Sequence, residues 1–219
     1  MTKLNEYIIS PELKEFTKFV PKLRIAVLAS GHGSNFQNLV DLSKEGKFDI
    51  EIKKLITNNN KAGCIEKAIS SNISYEVIND KNYKSKETFE DKIINVISDN
   101  EIELIVMAGW MKIVSEKFIN SFKKRIINIH PSLLPSYKGG NAIKDAFINK
   151  SLITGCSVHF VIPEVDSGEL IIQAAVPVKY SETIDVLKDK IQTLEHIILP
   201  QAISEAGRII RSKPMDKHY

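Results

Sequence analysis

Residues 127–137 read INIHPSLLPSY, an asparagine and a histidine at alternate positions with a proline directly behind them. In an extended strand, residues two apart point to the same side. Asn128 and His130 therefore share a face, and Pro131 ends the strand just beyond them. A carboxamide donates a hydrogen bond to a developing oxyanion, and an imidazole donates one or carries a proton near neutral pH. The plainer reading is a strand-end asparagine tying a turn and a buried histidine with satisfied partners. The loop that follows, PSLLPSYKGG, holds two prolines and two glycines and suits the wall of a pocket.

A third group is Asp166, in VIPEVDSGELI, between two apolar runs. Partial burial in such a turn raises a carboxyl pKa, which fits proton handling. An ordinary turn aspartate is the competing reading. His159 alternates with apolar neighbours in SVHFV and reads as a structural histidine beneath the site. Trp110 and Met111, which follow VMAG, suit either the core or a wall against a flat heterocycle. Metal ligation by His130, His159 and Asp166 is allowed by residue type, but no short ligand spacing supports it.

A separate feature is ASGHGSNF, residues 29–36, which follows an apolar strand and opens a helix. Such a loop aims free N–H groups and the positive end of a helix dipole at one spot. Glycines let the backbone approach an anion, and Ser34 or Asn35 is expected to cap the helix. No lysine stands where a GxxxxGK[ST] loop needs one, and Phe36 replaces the third glycine of a dinucleotide fingerprint. One phosphate on a small ligand remains, against a plain βα turn.

These groups need a scaffold that brings them together. RIAVLAS (24–30), DIEIKKLITN (49–58), ISYEVIN (73–79), IELIVMAG (102–109) and IINIH (126–130) read as strands. Helical patterns lie between them, the clearest being KETFEDKIINVISDN, with Phe89, Ile93, Val96 and Ile97 on one face. Strand–helix alternation predicts an α/β fold, a Rossmann-like, mostly parallel twisted sheet with helices on both faces. IELIVMAG, the most apolar strand, belongs at its centre. After Gly140 the pattern changes to a helix, a β-hairpin from TGCSVHFVI and ELIIQAAVPV, and a long helix over 181–210 with Pro200 as an expected break or kink. The predicted organisation is an extension over 1–22, in part helical and packed outside, one domain over 23–210, and a tail over 211–219.

Thirty basic and 27 acidic residues leave a net charge of +3, too even for nucleic-acid binding. The two cysteines, Cys64 and Cys156, lie far apart and read as buried apolar residues in a reducing compartment. The charged N-terminal stretch is no signal peptide, and no apolar run reaches the ~20 residues of a membrane span. A cytoplasmic protein is expected.

ASGHGSNFQNL, MAGWMKIVS, INIHPSLLPSYKGGNAIKDAF, TGCSVHFVIPEVDSG, IIQAAVPV and LEHIILP, in this order, resemble the phosphoribosylglycinamide formyltransferases, folate-dependent enzymes of purine synthesis. The resemblance runs over about residues 24–200. It implies transfer of a formyl group from 10-formyltetrahydrofolate, as co-substrate, to the amino group of glycinamide ribonucleotide. Asn128, His130 and Asp166 would be catalytic, and no metal is required. Gly33, Ser34, Asn35, Gln192 and Glu195 would hold phosphate and ribose. Lys86, Met111, Lys112, Ile113, Val114, Asn128 and Val161 would meet the folate. Lys86 and Lys112 stand where many members carry arginine, and lysine lacks the planar fork that arginine offers a carboxylate. The resemblance leaves monomer and homodimer open. It disfavours a formyltetrahydrofolate hydrolase, a methionyl-tRNA formyltransferase and a non-catalytic nucleotide-binding domain.

Overall fold

The computed structural model describes residues 7–212. Its strands are β1 (Ile8–Ser10), β2 (Leu23–Leu28), β3 (Ile50–Thr57), β4 (Tyr75–Val77), β5 (Leu104–Met107), β6 (Ile126–His130), β7 (Ile153–Phe160) and β8 (Leu170–Pro177). Its helices are α1 (Ser34–Lys44), α2 (Cys64–Ser70), α3 (Lys86–Ser98), α4 (Glu116–Ser121), α5 (Ala142–Ile148) and α6 (Ile184–Ser212). All eight strands form one sheet in the order β1-β8-β7-β6-β5-β2-β3-β4. The pairings from β6 through β5, β2 and β3 to β4 are parallel; those from β6 through β7 and β8 to β1 are antiparallel.

Every residue of β5 is buried, as its unbroken apolar run requires of a parallel strand covered on both faces. One face packs Phe36, Leu39 and Val40 of α1 and Leu187, Ile191 and Ile198 of α6; the other packs Phe89, Ile93, Val96 and Ile97 of α3. Ser85 starts α3 by accepting the Thr88 N–H while Thr88 Oγ1 accepts the Ser85 N–H, a reciprocal cap.

Two expectations are corrected. Of the break or kink expected at Pro200, the break is absent: α6 continues through it as one helix of 29 residues. The lost N–H bond is offset by burial of Pro200 with Leu199, Ala202 and Ile203. The extension forms no helix over 7–22. Ile8–Ser10 add a strand to the edge of β8, and the chain then crosses α6. There Ser204 Oγ accepts the Thr17 N–H at 2.8 Å, and Arg211 donates to the Pro21 carbonyl at 2.7 Å. Pro11 and Pro21 disfavour a helix here, and the open β8 edge offers backbone partners instead. Residues 1–6 of the extension and 213–219 of the expected tail lie outside the described residues, and Arg211 and Ser212 continue α6. Among the described residues no helix is long and apolar enough to cross a membrane.

Candidate active site

β2 is flanked by β3 on one side and β5 on the other, so the chain leaves it in both directions. In open α/β sheets a crevice forms at such a switch point, beyond the C-terminal strand ends. A cleft of about 650 Å³ lies there, lined from β2, β5, β6 and the β7–β8 loop and by α6.

Asn128 and His130 end β6, and both line the cleft. The antiparallel register of β6 and β7 sets His159 directly opposite Asn128. Asp166 comes from the β7–β8 loop, with a left-handed backbone (φ 49°). Gly168 lets this loop fold: a Cβ there would stand 1.7 Å from the Phe160 carbonyl oxygen. The result is convergence. Asp166 Oδ2 accepts the Gly139 N–H at 2.9 Å and lies 3.4 Å from His130 Nδ1. Asp166 Oδ1 lies 3.4 Å from Asn128 Nδ2 and 3.5 Å from His159 Nε2. His130 Nε2 meets the Tyr137 carbonyl at 2.8 Å, so that nitrogen carries a proton and donates. His159 Nδ1 likewise donates to the Phe160 carbonyl at 2.9 Å, which leaves Nε2 between the Asn128 amide and the Asp166 carboxylate.

The raised Asp166 pKa expected from a desolvated turn is overturned. Burial does push this carboxyl upward. Hydrogen bonds from His159 and the Gly139 N–H, with the charges of the His130 and His159 rings, outweigh it and hold the group at about 2. Asp166 is ionised at neutral pH. His159, expected beneath the site as a structural residue, touches both Asn128 and Asp166.

The glycine loop occupies the other end of the cleft. Gly33 has φ 75°, and a Cβ on it would lie 2.5 Å from that of Cys64, so only glycine fits. Gly33 is itself the N-cap; neither Ser34 nor Asn35 caps α1. Their side chains reach α6 instead. Gln192 Nε2 donates to Ser34 Oγ at 2.9 Å, and Asn35 Nδ2 donates to Glu195 Oε2 at 2.9 Å. Burial pushes the Glu195 carboxyl up to about 7, and the Asn35 hydrogen bond opposes it only in part. Ser34 and Asn35 thus meet Gln192 and Glu195 across the α1–α6 contact, and Gly33 lines the same cleft. Lys188 joins them on the cleft wall, one helical turn before Gln192, a position only the i, i+4 spacing on α6 could have flagged.

At the opposite end Met111 and Ile113 are 72% and 64% exposed, unusual for such side chains, and Val114 and Val161 line the wall behind them. Trp110, left open between core and pocket, is 7% exposed and stacks on Phe89, with the cleft at its edge. Lys112 lines the cleft, whereas Lys86 stands in an adjoining recess. Cys64 and Cys156 are free and buried. Among the described residues no group of three or more His, Cys, Asp or Glu side chains is placed to hold a metal ion.

Known proteins resemble this chain in sequence and in fold. The profile of the formyl transferase family matches residues 23–203. The chain is 41% identical over 182 residues to the human trifunctional purine biosynthetic protein adenosine-3, and 40% over 186 residues to its Chironomus tentans counterpart. These matches take in 83% and 84% of the chain and 18% and 14% of those proteins, so the chain spans under a fifth of their length. Among solved structures, glycinamide ribonucleotide transformylase 1 from Symbiobacterium toebii superposes with TM-score 0.83 at 33% identity, covering 91% of this chain and 93% of that one. Phosphoribosylglycinamide formyltransferase from Brucella melitensis gives 0.80 at 33% identity, covering 85% and 96%.

Proposed function

The chain belongs to the formyl transferase family, and from that premise we propose that it transfers the formyl group of 10-formyltetrahydrofolate to the amino group of glycinamide ribonucleotide, a step of purine synthesis. One observation carries this reading. Asn128, His130 and Asp166 converge within 3.4 Å contacts, between the glycine loop and the exposed Met111 and Ile113.

The phosphate binds at the N–H groups of Gly33, Ser34 and Asn35, beside Gln192, and Glu195 takes the ribose hydroxyls. The flat heterocycle of the folate lies against Met111, Ile113, Val114 and Val161. Lys86 and Lys112 attract its anionic end. The amine then stands beside the formyl carbon, and this positioning makes the reaction effectively unimolecular.

The amine nitrogen attacks, a C–N bond forms, and charge gathers on the formyl oxygen. Asn128 Nδ2 and the His130 ring turn their N–H groups from internal partners to that oxygen. Each such donor contributes about 100- to 1000-fold. A carboxylate held at about 2 is too weak a base for a neutral amine. Asp166 therefore takes the proton only as the new bond makes the nitrogen cationic. The proton passes to the folate nitrogen, whose bond to the formyl carbon breaks. The products are the formylated amine and tetrahydrofolate.

No metal, nucleic acid or membrane takes part in this scheme. The unpaired cysteines support a reducing, cytoplasmic setting, with the chain acting as monomer or homodimer. The test is an assay of the full chain with 10-formyltetrahydrofolate, with and without glycinamide ribonucleotide. Formyl loss that requires the amine is expected. Equal loss to water alone selects a hydrolase, and no loss in either case removes the catalytic reading.

A further inference from the structure

A second recess, of about 360 Å³, opens beside the cleft. Tyr83, Phe89 and Ile113 give it apolar walls, and three charged side chains face it: Asp80, Lys86 and Lys112. Lys112 and Ile113 line the main cleft as well, so the recess is a side arm of the folate end.

The two lysines differ in how free they are. Lys86 opens α3, its side chain about half exposed, and its nearest carboxylate, Glu90, lies 4.0 Å away. Glu90 is buried and already accepts both the N–H and the hydroxyl of Ser115. The N-terminal dipole of α3 adds to the field of Lys86. Lys112 is committed: its Nζ lies 2.7 Å from Asp80 Oδ2. Its hydrogen bond to Asp80 holds that carboxyl below the usual range, so the partner stays ionised at neutral pH. Asp80 begins a 3-10 turn whose preceding Asn79 accepts the Lys81 N–H, which fixes where the carboxylate stands.

We propose that Asp80 is a specificity-determining residue: by occupying Lys112 it limits how many carboxylates the recess accepts from the tail of the ligand. The proposal rests on reading this end of the cleft as folate-binding. A folate tail ends in one or more glutamates; the first carries two carboxylates and each further one adds another. The recess offers two positive charges and one negative. The first tail carboxylate meets Lys86, and any other faces Asp80 across Lys112. Lysine sharpens the competition, because a single ammonium serves as a point charge where a guanidinium fork has more donors to divide.

The experiment compares KM for monoglutamyl and pentaglutamyl 10-formyltetrahydrofolate in the wild type, Asp80→Asn, Lys112→Ala and the double variant. The wild type is expected to show the same KM for both within about twofold. Asp80→Asn should lower the pentaglutamyl KM about fivefold, the scale of an exposed ion pair, and the monoglutamyl KM about twofold, with kcat unchanged. Lys112→Ala alone should raise KM for both ligands, because it removes a cation and leaves Asp80 unpaired, and added to Asp80→Asn it should abolish the gain. Asp80→Ser serves if the asparagine variant folds poorly. A gain equal for both ligands, no gain, or a gain that survives loss of Lys112 overturns the proposal. Where no formyl transfer is measurable, binding of pteroylpentaglutamate read by Trp110 fluorescence separates the two claims. The Asp80-dependent gain then persists without the chemistry, or the role of Asp80 falls with it.

Discussion

The two ends of the cleft are built in different ways. At the glycine loop the contacts exist within the protein itself: Ser34 to Gln192, Asn35 to Glu195, and Gly33 packed on Cys64. These groups are fixed before anything binds, as preorganised dipoles must be. At the other end Met111 and Ile113 stand largely in water, next to a surface ion pair. That end gains by removing apolar area from water, a non-directional effect. On the proposed reading, an anion would thus be met by rigid geometry and a heterocycle by burial. Asn128, His130 and Asp166 lie on the seam between the two.

Substitution at that seam tests whether the ends are independent of the chemistry. Asp166→Asn keeps the shape and removes the anion. A kcat loss of about 1000-fold or more is expected, combining lost proton transfer with a disturbed His130. KM for both substrates should stay within about threefold, measured by initial rates. A tenfold rise in both KM values instead makes Asp166 a brace for the loop at Gly139, which donates to it, and joins the two ends into one unit.

A smaller effect is expected at Glu195, and it marks the rigid end alone. Its carboxyl ionises at about 7. Ribonucleotide affinity should rise between pH 6 and pH 8 as the carboxylate forms, about tenfold, with formylfolate KM flat. Glu195→Gln should remove that pH dependence. The sign for stability is opposite. A folded pKa raised above the unfolded value means the native state holds the proton longer, so stability is complete below about 4.5 and falls as pH rises through about 7. Glu195→Gln should therefore raise the unfolding free energy at pH 8, by up to about 3 kcal/mol, and leave it unchanged at pH 4. A urea titration at the two pH values reads this. Equal effects at both identify lost packing as the cause.

The same contrast governs what was legible in the sequence. Asn128 and His130 were readable because a strand has period two and a proline marks its end, both local facts. The glycine loop was readable for the same reason. The sheet followed from alternation of apolar strands and amphipathic helices. Asp166 was found but its ionisation was misjudged. Desolvation is inferable from a turn between apolar runs, whereas the His159 ring and Gly139 N–H that reverse it come from other segments. His159 is buried as expected, but which site groups it touches depends on the β6–β7 register, which one strand alone does not reveal. The first strand was missed because three residues pairing with an edge carry no periodicity. Resemblance rather than spacing supplied Gln192, Glu195 and Lys86. Asp80 emerged only once the recess was formed.

The smallest expected effect lies at the apolar mouth, at Ile113. Its side chain is 64% exposed in the free protein. Truncation there should cost almost no stability, within about 0.5 kcal/mol, as for surface positions generally. On the proposed reading, what it removes is area that the folate would cover. Each methylene so covered is worth about 0.8 kcal/mol, and an open mouth buries only part of a side chain. Ile113→Ala should therefore raise the formylfolate KM about three- to tenfold, with kcat, ribonucleotide KM and Tm unchanged. The effect should be insensitive to salt, in contrast to anything done at Lys112, because burial of apolar area is not screened by ions. A fall in Tm of several degrees makes Ile113 part of the fold. A salt-sensitive KM gives the ion pair, not the apolar surface, the larger share of binding at this end.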